Sequence, residues 1–194
     1  MTTVCCAVEG ALDEVIVRRL LAHVGLGCGP IYGGEGKPHL RRSIGGYAHG
    51  ARQGPWVVLV DLDHDHVCAA ALVEEWLPDR PPMMRLRVAV REVESWLLAD
   101  RMGMAGFLSV SRDRIPRMVD ELNDPKSSLI GIAARSRRRV IRDGIPPRAA
   151  SGRTIGPLYV TELSRFAVEV WDVEAASLVS PSLRRCISAL GTLR

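Results

Sequence analysis

Long apolar runs and targeting signals are both missing from this sequence of 194 residues. No apolar stretch approaches the roughly 18 residues that a membrane-spanning helix requires, and the first residues lack the basic start of a signal peptide. We therefore expect a cytoplasmic protein that does not enter a membrane. Internal repeats and low-complexity segments are also absent, and the content of 47% apolar and 25% charged residues is typical of a globular protein.

Cysteine and lysine are both sparse. The five cysteines form no C-x-x-C pair, which excludes a zinc ribbon and a C-x-x-C redox motif. An odd number of cysteines in a reducing compartment suggests free thiols, which behave as small apolar side chains when buried. Lysine occurs only at positions 37 and 126, so arginine supplies almost all of the positive charge behind the net charge of +4.

The sequence contains partial matches to two known binding loops, the phosphate-binding P-loop and the calcium-binding EF-hand loop, but it lacks residues that each of them requires. The glycines before Lys37 suggest a phosphate-binding P-loop, but Pro38 stands where that motif needs Ser or Thr, and no other ATP-binding loop is present. An EF-hand loop beginning at Asp61 would need Gly and Glu where the chain has His66 and Leu72. We expect residues 25–54 to form a mobile loop with a short helix near residues 40–51. Contact of Lys37 with a phosphate is the alternative.

Strand-like and helix-like segments alternate through the first half of the chain. Apolar, β-branched segments at residues 3–8, 56–60 and 84–90 predict strands, and an apolar stripe at helical spacing follows each one. This alternation predicts an α/β fold, with a parallel sheet flanked by helices.

Helices dominate the second half. Beyond about residue 110 the strand pattern fades, and we predict helices at residues 126–142, 158–171 and 183–190. The sequence thus predicts an α/β domain at residues 1–110 and a mainly helical C-terminal extension at residues 111–194 that packs on it, unless the two form one single domain.

Acidic residues follow each of the three predicted strands. Glu9 ends the first, Asp61 and Asp63 end the second, and Glu92 and Glu94 end the third. Residues two apart on a strand point to the same face, so Asp61 and Asp63 are expected side by side. Parallel neighbouring strands end at one edge of the sheet, where α/β proteins place their sites. Because Mg²⁺ prefers carboxylate oxygens, this convergence predicts a metal site; the alternative is that polar turns simply follow strands.

A basic segment lies in the second half of the chain. Between residues 135 and 153 there are seven arginines and one acid, which gives this window a charge of +6. Such a block suits the phosphate backbone of a nucleic acid, although an arginine-rich composition would also produce it on a solvated surface. The residues predicted to contact nucleic acid are Lys37, Lys126, Arg135, Arg137, Arg138, Arg139 and Arg142.

Several of these motifs resemble those of known families. Val8–Gly10 followed by a helix, and then Val58–Asp63, resemble the Toprim domain of topoisomerases, primases and OLD-type nucleases, and Glu9 and Asp13 fit the E-x-x-x-D spacing of the OLD-type nucleases. Most of the chain is similar to a bacterial family called domain-of-unknown-function family 4276. The stretches that carry this similarity are Tyr32–Gly34, Arg91–Asp100, Asp124–Lys126, Trp171–Asp172 and Ser180–Leu183.

The resemblance implies a Toprim-like fold with a central parallel sheet, and bound Mg²⁺ or Mn²⁺. The metal ligands that it implies are Glu9, Asp13, Asp61, Asp63, Glu94 and, next after Glu94, Glu92. The family has no settled activity, but related genes often accompany an ATPase of the ABC or SMC type. The resemblance therefore also implies such a partner.

These observations lead to a first hypothesis of a metal-dependent nuclease that works with an ATPase partner in defence against foreign DNA. Asp61 and Asp63 would hold one ion, and Glu9 and Glu94 would help to hold a second, unless Glu9 is the general base. Lys126 or an arginine of residues 135–142 would offset charge on the phosphate. A non-catalytic Toprim-like scaffold that docks a partner and a phosphotransfer or nucleotidyl enzyme acting on a small substrate are the alternatives.

Overall fold

The computed structural model describes all 194 residues of the chain. Contacts divide the chain into two compact units, of which the first joins residues 1–93 to residues 182–194 and the second comprises residues 94–181. In chain order the strands and α-helices are β1 (Thr3–Val8), α1 (Ala11–His23), β2 (Gly27–Gly33), α2 (Lys37–Gly50), β3 (Trp56–Asp61), α3 (Ala69–Trp76), β4 (Met84–Ala89), α4 (Val93–Ala99), α5 (Arg101–Leu108), α6 (Pro125–Ala133), α7 (Arg139–Gly144), α8 (Tyr159–Glu169), α9 (Val173–Val179) and α10 (Pro181–Gly191). Two short 3₁₀ helices, Arg112–Arg114 and Val119–Glu121, lie between α5 and α6.

The first unit is built on one four-stranded sheet with the order β2-β1-β3-β4, in which every neighbouring pair is parallel. Val58 of β3 lies opposite Ala7 of β1 on one side and Leu86 of β4 on the other. The central strand β3 is an apolar run because both of its faces are covered, as in other parallel sheets. The predicted α/β fold with a parallel sheet, flanking helices and a helical C-terminal part is confirmed.

Helices α2 and α3 cover the same face of the sheet. Leu40 and Tyr47 of α2 and Leu72 and Trp76 of α3 share one apolar cluster with alternate residues of β3 and β4. The crossover through α1 runs in the opposite direction to the one through α2. Because crossovers between parallel strands are right-handed as a rule, this direction assigns α1 to the other face of the sheet. The end of the chain also returns to the first unit, where Arg85 of β4 donates to the hydroxyl of Thr192 at 3.0 Å.

Strand β2 and the length of α2 differ from the sequence-based prediction, which placed a mobile loop at residues 25–54. The strand GCGPIYG is half exposed and rich in glycine and proline, so it lacks the apolar alternation by which edge strands are usually found. Gly33 ends it with a φ of 93°, and a Cβ there would lie 2.3 Å from the carbonyl oxygen of Val8. Only glycine allows this close approach of β2 to β1.

The second unit is helical. Its core includes Trp96, Phe166 and Trp171, which are at most 1% exposed. The predicted single helix at residues 126–142 is wrong, since α6 ends at Ala133 and α7 begins at Arg139. The buried side chain of Ser136 accepts a hydrogen bond from the backbone N–H of Arg138, and such local bonding competes with the helical pattern. The sequence-based domain boundary at residue 110 falls inside this unit.

Candidate functional site

The carboxyl ends of β1 and β3 bring two predicted ligands together. Glu9 follows the last residue of β1, and Asp61 is the last residue of β3. The Glu9 carboxylate accepts a hydrogen bond from the backbone N–H of Asp61 at 2.8 Å. Strand β2 pairs with one side of β1, and the chain then crosses over β1 to form β3, which pairs with the other side of β1. This is the point where the strand order reverses and where open α/β sheets bind ligands.

Asp61 is held on its other side by the segment after β4. Its Oδ1 accepts a hydrogen bond from the backbone N–H of Val93 at 3.0 Å. Asp63 and Arg91 form two hydrogen bonds with each other nearby. The backbone N–H of Asp63 donates to the carbonyl of Arg91, and the Arg91 guanidinium donates to the carbonyl of Asp63 at 2.7 Å. A hydrogen bond to the segment after β4 thus orients the Asp61 carboxylate at the edge of the sheet.

Asp63 departs from the geometry that strand alternation predicts. Strand β3 ends at Asp61, and Asp63 has a left-handed φ of 49°, which aspartate tolerates better than most residues. The prediction that Asp61 and Asp63 lie side by side on one face of an extended strand is therefore wrong. Polar groups at the end of the strand favour a turn over continued pairing.

A lysine occupies the space beside Asp63. The Lys37 ammonium, at the start of α2, lies 3.0 Å from Oδ2 of Asp63, 2.9 Å from Oδ2 of Asp65 and 3.1 Å from the carbonyl of Leu62. Its side chain is only 11% exposed. The sequence predicts that Lys37 contacts nucleic acid, but its three donors are directed to this loop.

The electrostatics of this contact reinforce it. Partial burial would by itself lower the pKa of the Lys37 ammonium, but hydrogen bonds to Asp65 and Asp63 outweigh burial and raise that pKa above its usual value. The hydrogen bond from Lys37 lowers the pKa of the Asp65 carboxyl. A cation that belongs to the chain thus offsets one of the two negative charges of Asp63 and Asp65, which would otherwise repel each other.

The other predicted ligands lie in different settings. Asp13 is buried in the first turn of α1, where its Oδ2 accepts a hydrogen bond from the backbone N–H of Gly10 at 2.9 Å and so satisfies the start of the helix. Glu92 is half-buried between β4 and α4. Glu94 belongs to the second unit, where it is 2% exposed and accepts a hydrogen bond from the Tyr159 hydroxyl at 2.5 Å.

The residues predicted to contact nucleic acid in the second unit are mostly exposed. Lys126 lies in the first turn of α6, with its ammonium 3.9 Å from the Glu94 carboxylate. Arg139 pairs with Asp143, and Arg142 donates to the carbonyl of Ser136. The arginines of this segment with exposed side chains are Arg135, Arg137, Arg138, Arg139 and Arg142. Some of the positive charge in the segment is thus already used within the fold.

Sequence reasoning does not find a pocket of about 380 Å³ beside Asp63. Lys37 and Arg41 of α2 line it, together with His66, Glu75 and Trp76. The Glu75 carboxylate lies 2.8 Å from His66 and 2.6 Å from Arg41. The hydrogen bond with His66 is the largest cause that lowers the pKa of the Glu75 carboxyl, and the charge of Arg41 lowers it further. The contacts join residues up to 34 positions apart, so no local pattern in the sequence indicates them.

The donor chemistry of the edge fits a hard cation at Glu9 and Asp61, because both present carboxylate oxygens at the same end of the sheet. Asp63 is paired with Lys37, so a cation that used Asp63 as a further ligand would compete with that ammonium. No group of three or more His, Cys, Asp or Glu side chains is gathered in a metal-binding arrangement.

Comparisons with protein-family models, with curated proteins and with solved structures found no match for this chain. No helix is both long enough and apolar enough to cross a membrane. The resemblance to Toprim domains and to domain-of-unknown-function family 4276 stays a prediction.

Proposed function

We propose that this chain is a phosphodiester-cleaving protein that uses Mg²⁺ or Mn²⁺ at the edge formed by Glu9 and Asp61. The observation that carries the proposal is the hydrogen bond from the backbone N–H of Asp61 to the Glu9 carboxylate, which brings the two residues together at the point where the strand order reverses. The apolar residues of β1, β3 and β4 form the core of the sheet, and the two acids follow or end its strands at one edge.

Four side chains of the first unit have separate roles in the proposed reaction. Glu9 and Asp61 would hold the metal, which supplies the Lewis acidity that neutralises charge on the phosphodiester. Asp63 would become a third ligand when Lys37 leaves it, and the freed ammonium would then be available to offset charge on the phosphate. Without metal, the Lys37 ammonium offsets part of the negative charge of Asp63 and Asp65.

The proposal includes a nucleic acid as substrate and an ATPase of the ABC or SMC type as partner, acting in defence against foreign DNA. The exposed arginines at residues 135–142 support a nucleic acid as the substrate. The partner and the defence role rest on the sequence resemblance alone.

A nuclease assay with two conservative variants tests the proposal. Purified protein is incubated with single-stranded, supercoiled and linear DNA and with RNA, in Mg²⁺ or Mn²⁺. Glu9→Gln and Asp61→Asn each keep a carbonyl oxygen that can accept the observed hydrogen bond but remove a negative charge. We expect both to lose cleavage, whereas Asp79→Asn, a change at an exposed acid between α3 and β4, should not.

Metal binding provides the second measurement. Calorimetric titration with Mn²⁺ should show uptake by the native chain and by Asp79→Asn, and weaker uptake by Glu9→Gln and Asp61→Asn. Cleavage that persists unchanged in both site variants would refute the site.

The competing function is a non-catalytic scaffold, which the occupation of Asp63 and Asp65 by Lys37 favours. It predicts no metal uptake and no cleavage with or without a partner.

A further inference from the structure

A surface pocket of about 300 Å³ in the second unit is lined by two arginines and by no acidic residue. Arg114 ends the 3₁₀ helix Arg112–Arg114, and Arg135 follows the end of α6. The remaining lining residues are Ser127, Ser128, Gly131 and Ile132 of α6, which recur at helical spacing and form one face of that helix. A short 3₁₀ helix and one helix face thus place two residues 21 positions apart at the same pocket.

Neither arginine is used by the fold. The side chains of Arg114 and Arg135 are exposed and make no hydrogen bond or ion pair with the rest of the chain. Other arginines of the unit behave differently: Arg165 pairs with Glu162, and Arg138 donates to the carbonyl of Phe107 while lying over its ring. Two guanidinium groups at one pocket repel each other, and an anion between them removes that repulsion.

The surroundings of the pocket favour an anion with several acceptor oxygens. The pocket lies along α6, whose N-terminal turn carries Lys126 and the positive end of the helix dipole. The hydroxyls of Ser127 and Ser128 donate to Asp124, which caps the helix and is not among the lining residues. A Cβ at Gly131 would meet no atom within 4 Å, so the floor is open and a bulky group can approach it.

We propose that Arg114 and Arg135 hold a backbone phosphate of a nucleic-acid strand. Arginine suits this role because its planar fork of N–H donors matches phosphate oxygens. A strand is favoured over a small phosphorylated molecule because the pocket is on the surface and is followed in sequence by the exposed arginines 137–139. The inference rests on the proposed function for its substrate class, and it adds Arg114, which lies outside the basic segment.

Binding in the absence of metal tests this inference separately from cleavage. A fluorescein-labelled oligothymidine is titrated with the full chain in EDTA, and anisotropy is followed over a series of KCl concentrations. The variant Arg114→Gln with Arg135→Gln is compared with Arg52→Gln combined with Arg184→Gln. The control pair removes the same two charges from exposed side chains that have no partner. Thermal melts of both variants check that the fold is kept.

We expect the pocket variant to bind at least about ten-fold more weakly, with a salt slope that is smaller by roughly 0.7 for each phosphate of a single strand that is no longer neutralised. The control pair should keep the native slope. Replacing both arginines by lysine should restore the slope but only part of the affinity, since an ammonium cannot make the forked pair of hydrogen bonds. Equal weakening of the pocket and control variants, or no binding by the native chain, would overturn the inference. Cleavage could then still depend on Glu9 and Asp61, because EDTA removes metal from the binding assay alone.

Discussion

Lys37→Met tests whether the lysine at the candidate site stabilises the loop after β3. Methionine keeps most of the apolar stem, which is largely buried, and removes only the ammonium. The ammonium has three acceptors at 2.9–3.1 Å, namely two carboxylates and the carbonyl of Leu62, and the substitution removes all three interactions. The side chains of Asp63 and Asp65 are 38% and 58% exposed, so solvent screens both ion pairs.

The expected cost follows from these interactions. Each screened pair contributes about 0.2–1 kcal/mol, and the hydrogen bond to the carbonyl contributes about 0.5–1.5 kcal/mol. We therefore expect the free energy of unfolding to fall by about 1–3.5 kcal/mol, seen as a lower urea midpoint with an unchanged m value. Arg52→Met, which removes a positive charge from an exposed side chain, should leave the midpoint where it is.

The stability that Lys37 contributes through Asp65 should decrease in acid. Lys37 lowers the pKa of Asp65 in the folded chain, so this pair stabilises the fold above the ordinary carboxyl pKa of about 4. That stabilisation disappears as the pH falls through the lowered pKa. The difference in stability between the native chain and Lys37→Met should therefore shrink in acid. A gap that stays constant down to low pH would show that the ion pair with Asp65 contributes nothing.

Metal should affect the two proteins differently. If the ammonium competes with a divalent cation for Asp63, Mn²⁺ will stabilise Lys37→Met more than the native chain, and a tenfold gain in affinity is equivalent to about 1.4 kcal/mol at saturating metal. Thermal melts with and without Mn²⁺ measure this difference. Equal stabilisation of both proteins would refute the competition, and an unchanged urea midpoint would refute the role of Lys37 in the loop.

Substitutions at three further positions test local packing and hydrogen bonds by urea denaturation. Tyr159→Phe removes the hydroxyl that donates to the buried Glu94 and should cost about 1–3 kcal/mol; an unchanged midpoint would contradict that hydrogen bond. Gly50→Ala places a Cβ 3.0 Å from the Trp56 ring and should cost about 1–3 kcal/mol through overpacking, with a change in the near-ultraviolet circular dichroism. Asp100→Ala deprives two backbone N–H groups of their acceptor and should cost at least about 2 kcal/mol, whereas Asp100→Asn should recover part of it.

The sequence predicts those parts of the fold in which local pattern and burial agree. Strands β1, β3 and β4 are apolar or alternate clearly, and the predicted bounds of each lie within one residue of the observed ones. Strand β2 escapes prediction because its glycines and proline have low strand propensity and its partner, β1, supplies the pairing. The break between α6 and α7 escapes prediction because no glycine or proline marks it, and the local hydrogen bond to the Ser136 side chain leaves no periodic pattern.

The candidate site is predictable only where topology dictates it. Glu9 and Asp61 are 52 positions apart, yet their proximity follows from two parallel strands that end at one edge. Their role as metal ligands stays a prediction. The contacts of Lys37 with Asp63 and of Tyr159 with Glu94 depend on how loops and helices pack, and no periodicity in the sequence encodes them.

Glu9→Gln and Asp61→Asn also separate folding from metal binding at the candidate site. Each amide keeps a carbonyl oxygen that can accept the backbone N–H that the native carboxylate accepts, from Asp61 and from Val93 respectively. Each amide also removes the negative charge with which a hard divalent cation is held. If the proposed site is right, both variants should keep urea midpoints close to the native one and lose Mn²⁺ uptake. A large loss of stability in either variant would show instead that the charge itself serves folding, and a loss of uptake in that variant would then not support the site.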